Sequence, residues 1–209
     1  MKVAIVGTSP NSFFEAPYKD ESWEIWGLNG AYERIPRYNR WFEIHSVEHH
    51  RKTGTPPGYM EHLQNAASLG RLYTKEPFPY ETLRLPKDKL IEQFGSYFTS
   101  TIAWMIGFAI QEGATEIGLW GVDMTGPDEY QKQRAGCEYL LGYAKGKGIK
   151  ITLPDCCPLL KGALYADDLF MELDEYEKKS TRALKDAIDK LNYYKGVSDT
   201  IKELQCKWG

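Results

Sequence analysis

Ser100-Thr101-Ile102-Ala103-Trp104-Met105-Ile106-Gly107-Phe108-Ala109-Ile110-Gln111-Glu112-Gly113 is followed by Ala114-Thr115 and then by Glu116-Ile117-Gly118-Leu119-Trp120-Gly121-Val122-Asp123. The first part carries apolar residues at helical spacing, with hydroxyl residues at its start as N-cap candidates and Gly113 as a stop. The second part is a short, continuous apolar run, the mark of a strand buried on both faces. The pattern then repeats. A helix is expected from about Asp128 to Lys145, a turn at Gly146-Lys147-Gly148, and a strand at Lys150-Ile151-Thr152-Leu153-Pro154. Helix, strand, helix, strand calls for a parallel sheet with right-handed crossovers.

Working back toward the N-terminus, three more strands are expected. Val3 to Val6 breaks into Gly7-Thr8-Ser9-Pro10-Asn11-Ser12; Trp23 to Leu28 ends at Asn29-Gly30; Arg40 to Ile44 ends at His45. Each delivers polar residues at its carboxyl end. Residues 46–95 are poorly periodic, with a turn at Thr55-Pro56-Pro57-Gly58, a helix from about Tyr59 to Ala67, a short strand at Arg71 to Thr74, and prolines from Pro77 to Pro86. Such an excursion is either a functional loop or lid, or structural filling. The fold class is therefore α/β: a Rossmann-like, mostly parallel sheet flanked by helices, occupying residues 1–165. Residues 166–209 form a charged C-terminal helical arm. Leu173, Tyr176, Leu184, Ile188, Leu191, Ile201 and Leu204 make an apolar stripe on it, and a break is expected at Gly196-Val197-Ser198-Asp199. That stripe must be covered, either by folding onto the domain or by self-association, and homo-oligomerisation through the arm is the expected cover.

A chain of 209 residues suffices for one α/β core and an appendage. Its net charge of −3 gives no global electrostatic case for nucleic acid. Six Trp and fourteen Tyr suit stacking surfaces, or simply an aromatic core. No basic leader precedes the first strand and no apolar run approaches the length of a membrane span, so a cytoplasmic, soluble protein is expected. Cys137, Cys156, Cys157 and Cys206 show no CxxC spacing and read as free thiols.

The candidate ligand-binding residues follow from their places at strand ends and helix starts. Gly7, Thr8 and Ser9 sit where a phosphate-binding turn would sit, although neither GxGxxG nor a GKS or GKT loop is present, which argues against a dinucleotide dehydrogenase and a P-loop NTPase. Thr99, Ser100 and Thr101 place hydroxyls at the start of a helix, where they either cap it or meet an anion. Asp123 follows Gly121 at a central strand end, suited to a ribose, a sugar, a metal or a simple turn. Asp128, Glu129, Tyr130, Gln133 and Arg134 fall on the next helix, where Arg134 either meets a phosphate or pairs with Glu138 one turn on. His45 ends a strand on the ligand side and is, with Asp123, a candidate catalytic residue. No HExxH or cysteine spacing supports zinc, and no metal site is expected.

Together these positions resemble the small bacterial sialyltransferases that use CMP-sialic acid. Gly7-Thr8-Ser9-Pro10 resembles their Gly-x-Gly-Pro-Ser turn, Leu28-Asn29-Gly30 their second strand end, and Phe98-Thr99-Ser100-Thr101 through Gly121-Val122-Asp123 their Thr-Ser-Gly helix and the strand ending in Gly-x-Asp. Ile151-Thr152-Leu153-Pro154 and Pro158-Leu159-Leu160 are similar to the segment closing their nucleotide domain. Archaeal-type 6-hydroxymethylpterin diphosphokinases share much of this skeleton, and compact phage proteins of unknown role look similar too. The resemblance spans about residues 1–165. It implies a nucleotide held by the first turn, Asn29, Gly30 and the Thr99–Thr101 helix start, and an acceptor near the segment after Asp123. One departure stands out: those enzymes carry a catalytic His in a lid after the Gly-x-Asp strand, and here no His follows His62. Three functional readings result. They are a glycosyltransferase-like enzyme using a nucleotide-activated donor, a protein that sequesters a nucleotide, and a scaffold acting through its arm. A diphosphokinase-like reaction, with Mg2+ on Asp123, is the enzymatic neighbour of the first.

Overall fold

In the computed structural model, residues 1–124, 128–162, 164 and 168–208 are described, without the side chains of 128–130 and 168–171. The chain divides into two units, Met1–Leu160 and Lys161–Gly209. The domain boundary expected at 165/166 falls on residues outside those described.

The first unit is built on seven strands: β1 (Lys2–Val6), β2 (Trp23–Leu28), β3 (Arg40–Glu43), β4 (Leu72–Thr74), β5 (Leu83–Arg84), β6 (Glu116–Trp120) and β7 (Lys150–Thr152). They run in the order β5-β4-β3-β2-β1-β6-β7, and every neighbouring pair is parallel. Six helices connect them: α1 (Pro10–Phe13), α2 (Val47–Thr53), α3 (Tyr59–Ser68), α4 (Lys87–Phe94), α5 (Thr101–Gln111) and α6 (Asp128–Gly146), with a 3-10 turn at Asn29–Glu33.

Alternation along the strands feeds two cores. Val3, Ile5, Trp26, Leu28, Phe42, Ile117 and Leu119 point to one face, where α4, α5 and α6 cover them. Ala4, Val6, Trp23, Ile25, Trp41 and Trp120 point to the other, against α1 and α3. This is why β1 and β6 read as unbroken apolar runs rather than alternating ones. The same logic explains α5. It buries every residue from Thr101 to Ile110, so its sequence is apolar all round rather than on one stripe. Each fully buried Leu, Ile, Phe or Met side chain there contributes about 1.5–3 kcal/mol.

Residues 46–95 are not one long loop. They contribute α2, α3, β4, β5 and α4, and so extend the sheet by two strands. β4 falls within the short strand expected at Arg71 to Thr74, whereas β5, only two residues long, is too short to leave a periodic signature in sequence.

The second unit is dominated by α7, a helix from Asp168 to Trp208. The break expected at Gly196 is absent. A glycine inside a helix costs about 1 kcal/mol relative to alanine, too little to stop a helix of 41 residues. Ser198 lies inside this helix. Thr200 Oγ1 donates to the Gly196 carbonyl across that turn. Leu173, Leu184, Ile188, Leu191, Ile201 and Leu204 are all exposed along it. Among the described residues no helix is long and apolar enough to cross a membrane.

Candidate functional site

The strand order reverses at β1. Its neighbours are β2 on one side and β6 on the other, so the connections leaving their carboxyl ends run apart. That divergence opens a crevice, the usual ligand position in an open parallel sheet. The crevice here has a volume of about 450 Å³. Gly7, Thr8, Ser9 and Pro10 line it from β1, Leu28 and Asn29 from β2, and Gly121, Val122, Asp123 and Met124 from β6; Ile102 and Gln133 add walls from α5 and α6.

Two glycines fix the floor. Gly7 N–H donates to the Trp120 carbonyl and Ser9 N–H to the Gly121 carbonyl, each at 2.8 Å, carrying the ladder past the strand ends. Gly121 N–H donates in turn to Ser12 Oγ at 2.9 Å. Ser9 Oγ caps α1 by accepting from Asn11 N–H. Asn11 Nδ2 then donates to Asp123 Oδ2 at 2.9 Å, orienting the carboxylate at the crevice wall.

Asn29 is held in the left-handed region, at φ 48°, which non-glycine residues seldom adopt. Its Oδ1 is buried and has no hydrogen-bond partner among the described residues. A buried acceptor left unpaired costs about 1–3 kcal/mol, and this one sits on a crevice wall.

Other expected residues lie differently. Gly30 follows Asn29 but is outside the crevice wall, with open space around its α-carbon. Ser100 Oγ caps α5 by accepting from Ala103 N–H and contacts Cys137 Sγ. Thr99 Oγ1 donates to the Gln133 carbonyl, and Thr101 is buried. The part of α5 that reaches the crevice is the next residue, Ile102. Arg134 pairs with Glu138 at 2.9 Å and donates to the Pro158 carbonyl. The side chains of Asp128, Glu129 and Tyr130, and the acceptor segment expected after Asp123, lie outside the described residues.

His45 lines a second cleft of about 650 Å³, with Ser46, His49, Lys75 and Glu76 among its other walls. Its Nδ1 lies 2.7 Å from Glu43 Oε1, which also accepts from the His45 backbone N–H at 2.8 Å. Glu43 is 1% exposed. Its other oxygen accepts from Tyr59 Oη at 2.7 Å and lies 3.3 Å from His50 Nε2, the latter without hydrogen-bond alignment. Burial alone would raise the Glu43 carboxyl, but the hydrogen bonds from His45 and Tyr59 outweigh it and hold the group below the usual range. The Glu43 hydrogen bond raises His45 above the ordinary histidine value, against the effects of burial and Lys75. Donor atoms of Glu43, His45 and His50 all lie within 4.8 Å of one another, a spacing that could also hold a metal ion. Glu43, Tyr59 and His50 were not singled out from sequence. The available signal was a carboxylate inside the apolar run Trp41-Phe42-Glu43-Ile44.

No protein-family model matches the chain, and no curated protein matches it in sequence. Solved structures do. The sialyltransferase CstII from Campylobacter jejuni, in complex with the substrate analogue CMP-3FNeuAc, superposes with a TM-score of 0.51 at 18% identity, covering 75% of this chain and 80% of that one. A CstII variant in complex with CMP gives a TM-score of 0.50 at 16% identity, over 76% of this chain and 82% of the other. The likeness is one of fold.

Proposed function

We propose that the chain binds a nucleotide-activated sugar in the crevice between β1, β2 and β6 and transfers its glycosyl group to an acceptor. The carrying observation is Asn29: a strained backbone and an unpaired buried oxygen on the wall of a switch-point crevice. A base or ribose donor would complete the missing hydrogen bond. The fold it shares with CstII, a protein solved with CMP and with a CMP-sugar analogue, supports the same choice of ligand.

The chemistry asked of the crevice is stabilisation of a departing phosphate. With the Gly7 and Ser9 N–H groups given to the Trp120 and Gly121 carbonyls, the Thr8 backbone N–H and the positive end of α5 can supply it. Asp123, oriented by Asn11, suits a sugar or ribose hydroxyl. Magnesium commonly uses one or two protein carboxylates with the substrate's phosphates. Asp123 could hold it only in that way, since it is the one carboxylate on the described crevice wall.

A second reading is sequestration without turnover. It is favoured by the crevice wall itself, in which Asp123 is the sole ionisable side chain among the described residues. Isothermal calorimetry with CMP, CDP, UMP, UDP, ADP and GDP, followed by assay of the matching nucleotide-sugars for nucleotide release, separates the readings. Base-selective binding with release supports transfer. Binding alone supports sequestration, and no binding by any nucleotide rejects both.

A further inference from the structure

We propose that Glu43, His45 and His50 form a binding site for a divalent transition-metal ion of the zinc type, open to the second cleft. That cleft shares no lining residue with the β1–β2–β6 crevice, so the inference stands independently of what the crevice binds. The first support is charge. Glu43 is 1% exposed, and its partners among the described residues are His45, Tyr59 and His50, with no lysine or arginine. Buried charges are normally paired with an opposite charge or coordinate a metal. The second support is His50. Its Nε2 is buried and without a hydrogen-bond partner among the described residues, yet it lies 3.3 Å from Glu43 Oε2. Protonated, that nitrogen is misaligned as a donor; unprotonated, it sits against a carboxylate oxygen that has nothing to donate. Buried polar atoms left this way call for a water or an ion, and a cation between the two atoms satisfies both.

Spacing is the third support. Glu43 ends β3, Ser46 Oγ caps α2 by accepting from His49 N–H, and the first turn of that helix brings His50 back to Glu43. One donor atom from each of Glu43, His45 and His50 then lies within 4.8 Å of the others. Zinc binds imidazole nitrogen and carboxylate oxygen at about 2.0–2.2 Å, which sets tetrahedral neighbours about 3.3 Å apart. The Glu43–His50 contact already has that length. The Glu43–His45 contact, at 2.7 Å, is a hydrogen bond that lengthens as the ion displaces its proton to solvent. Two imidazoles and one carboxylate favour a transition ion over Mg2+ and Ca2+, which take oxygen donors. Tyr59 Oη donates to Glu43 Oε2 at 2.7 Å, the kind of outer hydrogen bond that fixes a ligating carboxylate. Access is one-sided. The side chains of Glu43 and His50 are 1% and 11% exposed, whereas that of His45 is 36% exposed and lines the cleft. Three protein ligands leave a fourth position on that side for water or a small ligand.

The test uses the untagged full chain, stripped with EDTA and dialysed, with Zn2+ and Co2+ salts as probes. Calorimetry should give stoichiometric Zn2+ binding of micromolar or tighter affinity, and the melting temperature should rise with Zn2+. Co2+ should give the visible d–d bands of a site with nitrogen and oxygen ligands. Glu43→Gln, His45→Ala and His50→Ala should each abolish stoichiometric binding, and Tyr59→Phe should weaken it about 10–100-fold. Cys156→Ser together with Cys206→Ser should leave it intact, a control needed because exposed thiols also bind zinc. Should a ligand variant fail to fold, nitrogen-15 NMR of the wild-type histidine rings decides instead. Zn2+ should then shift His45 Nδ1 and His50 Nε2 and leave His62 unchanged. No binding of either probe, binding that survives all three ligand substitutions, or binding lost with the two thiols overturns the proposal. So does an NMR response confined to His49 or His62.

Discussion

Gly7 and Gly121 pack backbone against backbone: a Cβ on Gly7 would lie 2.4 Å from the Gly121 carbonyl oxygen, and one on Gly121 would lie 2.9 Å from the Gly7 carbonyl oxygen. β1 and β6 can therefore stay in register to their ends only if both positions lack a side chain. Gly7→Ala should destabilise the protein by about 1–3 kcal/mol, the usual cost of forcing atoms into a packed interior. Gly121→Ala should cost more, because its φ of 62° adds backbone strain. Urea denaturation read as a shift in midpoint checks both, and a midpoint unchanged in Gly7→Ala would contradict the packing argument.

Asn29 permits a cleaner separation of strain from binding. Asn29→Gly keeps the left-handed backbone and removes the carboxamide. Nucleotide affinity should fall about 5–30-fold, the loss of one hydrogen bond to a buried group, with no drop in thermal midpoint. Asn29→Ala should lose affinity and also about 1–2 kcal/mol of stability. Calorimetry beside thermal melts distinguishes the two, and equal affinities for wild type and Asn29→Gly would remove Asn29 from the ligand site.

The Glu43–His45 pair makes stability depend on pH from both sides. Glu43 has a lowered folded pKa, so its stabilisation is present above the unfolded carboxyl value and is lost as pH falls through the folded one. His45 has a raised folded pKa. Its contribution is complete below the unfolded imidazole value and disappears as pH rises through the folded value. Melting temperature should thus fall off on both sides of a mildly acidic maximum. Glu43→Gln should flatten both limbs. A profile of unchanged shape in that variant would show that other groups govern it.

The exposed stripe on α7 carries the expectation of self-association. Leu184, Ile188, Leu191 and Ile201 present apolar area that a second copy of the helix could bury at about 25 cal/mol per Å². Removing residues 170–209 should reduce the solution mass, measured by light scattering, to that of one chain. Leu191→Asp should weaken the assembly in the full chain. A monomeric full chain, or an assembly indifferent to the deletion, would end this reading.

The sequence disclosed the parts of the fold whose burial leaves a repeating mark. β1, β2, β6 and α5 could be placed because buried strands are continuously apolar and a buried helix is apolar all round. β5 and α4 were not, since a two-residue edge strand and a half-exposed helix lack such a mark. The crevice was legible for a related reason: Gly7, Ser9, Asn29 and Asp123 all sit at strand ends, and sheet topology gathers strand ends. The Thr99–Thr101 hydroxyls looked equally suitable, yet in the structure Ser100 caps α5, Thr99 bonds to α6 and Thr101 is buried. The Glu43 network stayed hidden because it joins residues from β3, α2 and α3, and no local spacing reports such a meeting.

The sheet order also divides the strands into two flanks that meet at β1. The strands between β1 and residue 95 extend one flank, and β6 and β7 the other, while α5 packs Phe108 across β2 and β3. The crevice is the seam between the two flanks. The Gly7–Gly121 contact that holds the seam together involves no residue of β3, β4 or β5. The seam that forms the crevice is thus held by a backbone contact that the strands of the outer flank do not touch.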